Sequence, residues 1–356
     1  MKRLSTVMLM LAAAALVGLV GSAAVAKLAR QAPPPDWETK PSKYDPPSAP
    51  VKFLGDGKPD PAGQPPFTFV FLGGVGHGPG SSRDAPGPDA EEVFGWIAKA
   101  GADFTVVGGD VAGSSRKWEA MAAALKPGSS LLVPVPGNHD LEKGGATQWE
   151  KMFGPLYYSF THKGCQFIVM CSEVPDEPGF IGIKQLNWLK EQLNAPARVR
   201  FVFCHRPFWR EGSAGTRDIW MNRVHPLLKD HNVAAVFAAH HIAFEVIEQD
   251  GVRYITTQGA GQDDDDPAAA KPASTDPAST SKAPAKKAAP KPGAFTHYIK
   301  IAVPADGKPV ITVVGKDKEL APDAVNKVAM PAWPAPGAAS AAGKAAPAAA
   351  TPTPTP

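Results

Sequence analysis

Short apolar runs recur through the middle of the chain, and most of them break off into a polar residue. The first, Phe67-Thr68-Phe69-Val70-Phe71-Leu72, is β-branched and aromatic and opens into a glycine-rich loop over residues 73–80. Helical spacing follows, with Val93, Trp96, Ile97 and Ala100 on one face and Asp89, Glu91 and Glu92 at the start. Residues 104–107 read as a strand ending in Gly108-Gly109-Asp110, residues 115–125 as a helix, and residues 131–135 as a strand ending in Pro136-Gly137-Asn138-His139-Asp140. Residues 157–160 and 166–170 read as strands paired around a turn at His162-Lys163-Gly164. Leu186, Leu189 and Leu193 then mark a helix. Residues 201–204 form a strand ending at His205, residues 217–229 a helix, and residues 234–238 a strand ending at His240-His241. Two hairpins close the pattern, residues 244–248 with 253–257 and residues 298–303 with 310–314.

In open α/β sheets, ligand sites form at the carboxyl ends of strands. Asp110, Asn138, His205 and His240 each follow such an end, so they are predicted to converge. His162, His225, His231 and His297 read as ordinary polar loop residues, and Trp96, Trp118 and Trp188 as core or helix-face packing.

Composition sets the limits of the domain. Of the 39 prolines, 24 fall in residues 33–66, 261–294 and 331–356, which marks these stretches as disordered. The expected organisation is a spacer over 27–66, one domain over 67–320 with an insert at 261–294, and a Pro/Ala-rich tail over 321–356. Residues 1–26 read as an export signal: Lys2 and Arg3, an apolar run over residues 7–20, then Ala24-Val25-Ala26 at the cleavage position. An uncleaved anchor is the alternative, and would be the chain's contact with a membrane; either way the remainder is expected to be periplasmic, extracellular or tethered to the envelope. The formal net charge is +3, and without Lys2 and Arg3 it falls near +1, so no nucleic-acid partner is expected. Cys165, Cys171 and Cys204 form no disulfide framework and read as buried thiols.

The Pro136-Gly137-Asn138-His139-Asp140 run, taken with Gly109-Asp110, Cys204-His205-Arg206-Pro207 and Ala239-His240, resembles the motif set of the calcineurin-like metallophosphoesterases. The likeness covers about residues 67–258 and 295–315, with the motifs in family order. It implies a four-layer α/β/β/α sandwich and hydrolysis of phosphate esters by metal-activated water. The family's motifs are D-x-H, G-D, G-N-H-D/E, a lone His and G-H-x-H. By that match, Asp110, Asn138, His205 and His240 occupy the second metal position, and His139 the position of a proton donor or phosphate-oxygen stabiliser. An amide oxygen, a carboxylate and two imidazoles suit manganese, iron or zinc. Asp140 reads as a hydrogen-bonding support and Arg206 as either a phosphate contact or a surface residue. Val111-Ala112-Gly113 lacks the tyrosine expected of a purple acid phosphatase.

The first metal position departs from the family. Gly74, Gly76 and Ile242 stand where its three private ligands belong. Three readings stay open: a phosphoesterase working with one metal, a rebuilt pair in which His77 or His241 substitutes, and a non-catalytic envelope binding or scaffold protein. Loops over residues 73–88, 144–153 and 210–216 are where substrate choice is expected to lie.

Overall fold

Alternate residues of a strand point to opposite faces, so Phe67, Phe69 and Phe71 share one side of their sheet. That side faces a second sheet and carries the core of the molecule. The computed structural model describes residues 40–75, 88–111, 115–125, 131–210, 214–241, 244–257, 259 and 296–325. Contacts divide the chain after Pro41, and the architecture here is that of the unit beginning at Ser42.

The strands are β1 (Phe67–Leu72), β2 (Phe104–Val107), β3 (Leu132–Pro134), β4 (Tyr158–His162), β5 (Cys165–Val169), β6 (Glu173–Val174), β7 (Glu177–Pro178), β8 (Arg200–Cys204), β9 (Val233–Ala238), β10 (Glu245–Gln249), β11 (Val252–Thr256), β12 (His297–Val303), β13 (Val310–Gly315) and β14 (Lys318–Leu320). The helices are α1 (Pro88–Ile97), α2 (Ser115–Leu125), α3 (Asn138–Leu141), α4 (Gly145–Met152), α5 (Ile183–Leu193), α6 (Ala214–Ile219), α7 (His225–Asp230) and α8 (Pro322–Val325). One sheet runs β14-β13-β12-β1-β2-β3 and the other β10-β11-β9-β8-β5-β4. The inner pairings β1–β2–β3 and β5–β8–β9–β11 are parallel, and the flanking strands are antiparallel.

The sheets interlock through aromatic rings. The Phe69 ring centre lies 5.2 Å from that of Phe104 in its own sheet, and 5.3 and 4.9 Å from those of Phe167 and Phe201 in the other. Phe71 meets Phe237 at 5.2 Å. Such pairs add about 0.5–1.5 kcal/mol beyond simple burial. The opposite faces of these strands are buried too, at Val70, Leu72 and Val107. α1 packs by β12 and α7 by β9, which gives the four layers that the resemblance implied.

Several local expectations need correction. Residues 42–66 were expected as a free spacer, yet they lie along the domain. Ser42 Oγ donates to Asp176 Oδ1 at 2.6 Å, Leu54 forms a bridge with Leu132, and the Phe53 ring meets Phe160 at 5.2 Å. A proline-rich segment needs no core of its own when a few apolar residues can settle on the edge of an existing one. The helix expected over 217–229 is broken by a wide π turn, Trp220–Val224, before α7. Pro226 accounts for this, because it has no N–H to donate and its ring crowds the preceding turn. α3, α4, β6, β7 and β14 are short elements that the apolar pattern did not mark.

The histidines expected in loops are partly structural. His225 is buried, donates from Nε2 to Asp250 at 3.1 Å and accepts the Tyr254 hydroxyl at Nδ1 at 2.6 Å. His231 donates to the Leu227 carbonyl at 2.7 Å. His297 is buried against Thr257, with 2.6 Å between Nε2 and Oγ1, and its N–H reaches the Gly259 carbonyl at 3.3 Å. This joins the end of β11 in one sheet to the start of β12 in the other. The three cysteines are free and buried. The signal, the insert and the tail fall outside the described residues, and no described helix is long and apolar enough to cross a membrane.

His162 completes a polar node between the sheets. Its Nδ1 accepts the Asp60 N–H at 3.0 Å, so Nε2 carries the proton and donates to Asp103 at 3.3 Å. Lys163 Nζ donates to the same carboxylate at 2.6 Å. Burial pushes Asp103 up, but the His162 and Lys163 bonds outweigh it and hold the carboxyl at about 2. A carboxyl whose pKa is lowered on folding stabilises the protein above its unfolded pKa, and that contribution fades as pH falls towards the folded value. Asp103→Asn is therefore expected to lose about 1–2 kcal/mol at pH 7. Denaturant melts run at several pH values should show the gap to wild type closing between about pH 4 and pH 2.

Candidate metal centre

The four predicted ligands come from two parallel strand pairs, one in each sheet. Asp110 and Asn138 follow β2 and β3, and His205 and His240 follow β8 and β9. The phenylalanine core sets the sheets face to face, so these strand ends meet at one edge of the sandwich. Tyr158 strengthens the junction by donating its hydroxyl across the gap to the Pro134 carbonyl at 2.5 Å.

Two turns fit into each other beneath the site. Gly109 has φ +97, and a Cβ there would lie 2.8 Å from both Gly137 N and His205 Nδ1. A Cβ on Gly137 would overlap the Asp110 carboxylate. Asp140 Oδ2 ties the turns together by accepting the N–H of Asp110 at 2.8 Å and of Gly137 at 2.9 Å. This is the supporting part expected of Asp140, and the second bond has the form of a capping-box contact at the start of α3. Lys117 is buried in α2, and the Asp140 charge acts on it. Asp110 and His240 both sit in left-handed backbone, φ 54 and 65. Asp and His tolerate that region better than most residues, but at a cost of about 1–3 kcal/mol each.

Each ligand candidate is oriented by a bond on its far side. Asp110 Oδ1 accepts the His139 N–H at 3.0 Å, which leaves Oδ2 turned inward. Asn138 Nδ2 donates to Glu142 at 3.4 Å, which leaves Oδ1 turned inward. His205 Nδ1 donates to the Gly108 carbonyl at 2.8 Å, so Nε2 faces the site. Around that one nitrogen lie Asp110 Oδ2, Asn138 Oδ1 and His240 Nδ1, each at 3.1 Å.

A single imidazole nitrogen cannot bond all three, because it offers one proton or one lone pair. The arrangement fits a cation. Ligands at about 2.0–2.2 Å from an ion stand about 3.0–3.4 Å from one another, which matches the spacing here. Asp110, His205 and His240 place donor atoms within 4.8 Å of one another. The protonation states of Asp110 and His240 agree with ligand roles. At His205 burial pushes the ring down, but the facing Asp110 carboxylate outweighs it and holds the ring above its usual value, so a cation there would displace a proton. Burial alone pushes Asp110 up, but the facing His205 and the His139 N–H outweigh it and hold the carboxyl well below its usual range. Burial, then His205 and Arg206, hold His240 down at about 3, so its ring is neutral at ordinary pH.

His139 lies beside the cluster with its side chain 46% exposed. It lines a cavity of about 530 Å³ together with Trp118, Glu142, Lys143, Gln148 and Trp149. Residues 145–152 there form α4 rather than the expected loop. Trp118 is buried against Trp149 and Phe153, which matches its packing role, although it also contributes to the cavity wall.

At the first metal position Gly74 is buried and offers no donor. Gly76, His77 and Ile242 lie outside the described residues. His241 is not brought into the cluster; its ring centre is 6.1 Å from that of His240. Arg206 is held by protein groups, with Nε on Glu173 Oε1 and Nη1 2.9 Å from His240 Nε2. Glu173 was missed from the sequence. Its signal was the same one that marked the ligands, a polar residue, in Cys171-Ser172-Glu173, just past the apolar β5.

Residues 77–243 match the family model of the calcineurin-like phosphoesterases. Among solved structures the chain is similar to GAP50, the anchor in the inner membrane complex of Plasmodium, with 17% identity, 72% of this chain and 86% of that chain covered, and a TM-score of 0.47. It is also similar to a dimetal phosphatase from Danio rerio, with 13% identity, 73% and 98% covered and a TM-score of 0.46. A hypothetical protein from Thermus thermophilus follows at 15% identity, 69% and 98% covered and a TM-score of 0.43. No curated protein sequence gives a significant match.

Gly137→Ala is expected to displace the Asp110 carboxylate and lower Mn²⁺ affinity by about 10–100-fold in protein that still folds. Calorimetric titration alongside circular dichroism checks this. Wild-type affinity in the variant would show that the close approach of the two turns does not position the carboxylate.

Proposed function

We infer, from the match of residues 77–243 to the calcineurin-like phosphoesterase family model, that the chain is an exported hydrolase of phosphate esters that works with a single metal ion. The observation that carries the reading is the convergence of Asp110, Asn138 and His240 on His205 Nε2, each at 3.1 Å. These four residues would hold manganese, iron or zinc. When bound, the ion would polarise a phosphoryl oxygen and lower the pKa of water towards about 7. His139 bonds Asp110 Oδ1 through its N–H and lines the cavity with its side chain, which would give a proton to the leaving oxygen or a hydrogen bond to an equatorial one. The cavity it lines, with Trp118 and Trp149 in its wall, would take the remainder of the ester.

A second reading is favoured by one observation: Gly74 leaves the first position without a donor there, and among the described residues His241 is not part of the Asp110, His205 and His240 group. A chain of this kind would hold one metal and bind phosphorylated ligands without turning them over. Metal content and turnover separate the two. The purified chain is expected to carry about one metal ion and to hydrolyse generic phosphomonoesters or diesters with added Mn²⁺ or Zn²⁺. His139→Gln should lower kcat by about 10²–10⁴-fold. Absence of metal would overturn both readings; metal without turnover would select the binding protein. Two ions per chain would return the rebuilt pair.

Export rests on residues 1–26. Amino-terminal sequencing of chain recovered outside the cytoplasm is expected to begin after Ala26. An intact Met1 in the membrane fraction would identify an anchor instead.

A further inference from the structure

Arg206 Nη1 lies 2.9 Å from His240 Nε2. A guanidinium has donors only, so His240 Nε2 accepts, and in a neutral ring the proton must then sit on Nδ1. Nδ1 is the atom that faces His205 Nε2 at 3.1 Å, inside the cluster. A cation held there needs the Nδ1 lone pair, which sends the ring proton to Nε2. That proton would point straight at the N–H of Arg206. His240 therefore cannot serve Arg206 and a cation together.

We propose that Arg206 is a movable cationic arm that rests on His240 while the cation is absent and turns to the ester phosphate when the cation is held. This rests on the phosphoesterase reading and deepens it. The anchor of the arm is built in. Its Nε is bonded to Glu173 Oε1, Glu173 is only 5% exposed, and Ser172 Oγ supports that carboxylate at 3.2 Å. The Arg206 N–H also reaches Ser172 Oγ at 3.3 Å. The stem stays in place and the Nη end moves. Arg206 is 27% exposed along its side chain, so the Nη end lies within reach of a ligand entering from solvent. A planar guanidinium can meet a phosphate with two parallel bonds. It thus brings a second positive charge to a site where Gly74 supplies no donor for a second metal.

The arm couples two ligands. The cation releases Arg206 and so favours phosphate, and by reciprocity phosphate favours the cation. Removal of the arm has opposite effects on the two. In Arg206→Met, Mn²⁺ should bind the metal-free full chain about 5-fold more tightly, and inorganic phosphate should bind the Mn²⁺-loaded chain about 10-fold more weakly. The double variant Arg206→Met/Glu173→Gln avoids leaving a buried unpaired carboxylate and should show the same split. Calorimetry reads both affinities without turnover. Folded variants in which Mn²⁺ affinity falls or is unchanged, or in which phosphate affinity is unchanged, would overturn the arm while leaving the metal site standing. A wild-type chain that takes up no Mn²⁺ would overturn the site and the arm together.

Discussion

The meeting of two phenylalanine faces is the constraint on which the rest of the molecule depends. β1 contributes Phe67, Phe69 and Phe71, β2 contributes Phe104, and the opposing sheet answers with Phe167, Phe201, Phe203 and Phe237. Rings of this size interlock in few ways, so the face-to-face setting of the sheets is narrowly defined. That setting decides which strand ends lie opposite one another. Asp110 and Asn138 follow strands of one sheet, His205 and His240 strands of the other, and the cluster needs both pairs. A shift between the sheets would leave every strand intact and pull the cluster apart.

Fine positioning comes from a different kind of interaction. Asp140 draws together the turns after β2 and β3, and the lack of side chains at Gly109 and Gly137 lets them touch. The strained backbone at Asp110 and His240 is held by this network and by the strands behind it. Three polar atoms stand 3.1 Å from one shared nitrogen that can bond only one of them well, an arrangement that a cation would satisfy more fully. Local strain is thus concentrated where binding can offset it.

Much of this was legible in the sequence. The alternation of apolar and polar residues marked the strands, and the abrupt polar residue after an apolar run marked the residues that converge on His205 Nε2, because strand ends in parallel sheets share an edge. The pattern was silent where interactions are not periodic. Residues 42–66 pack through Val51, Phe53 and Leu54 on a surface that exists only after folding, so their proline content misrepresented them. The pairing of Glu173 with Arg206 and the tilt of Arg206 towards His240 depend on the approach of β5 and β8, which no local spacing encodes. The π turn before α7 reflects one residue, Pro226, inside an otherwise helical pattern.

The bond between Thr257 and His297 has a consequence for how the chain can vary. It clips the end of one sheet to the start of the other, so the two ends of the intervening segment are held together by the fold itself. Once ends are fixed, the entropic cost of a longer connection rises only with the logarithm of its length. A long run rich in alanine, proline and lysine can therefore be carried between β11 and β12 at little expense in stability, and the metal edge need not register it. The clip makes this seam a natural port, where sequence can be gained, lost or exchanged for a tag or a tether without reopening the core.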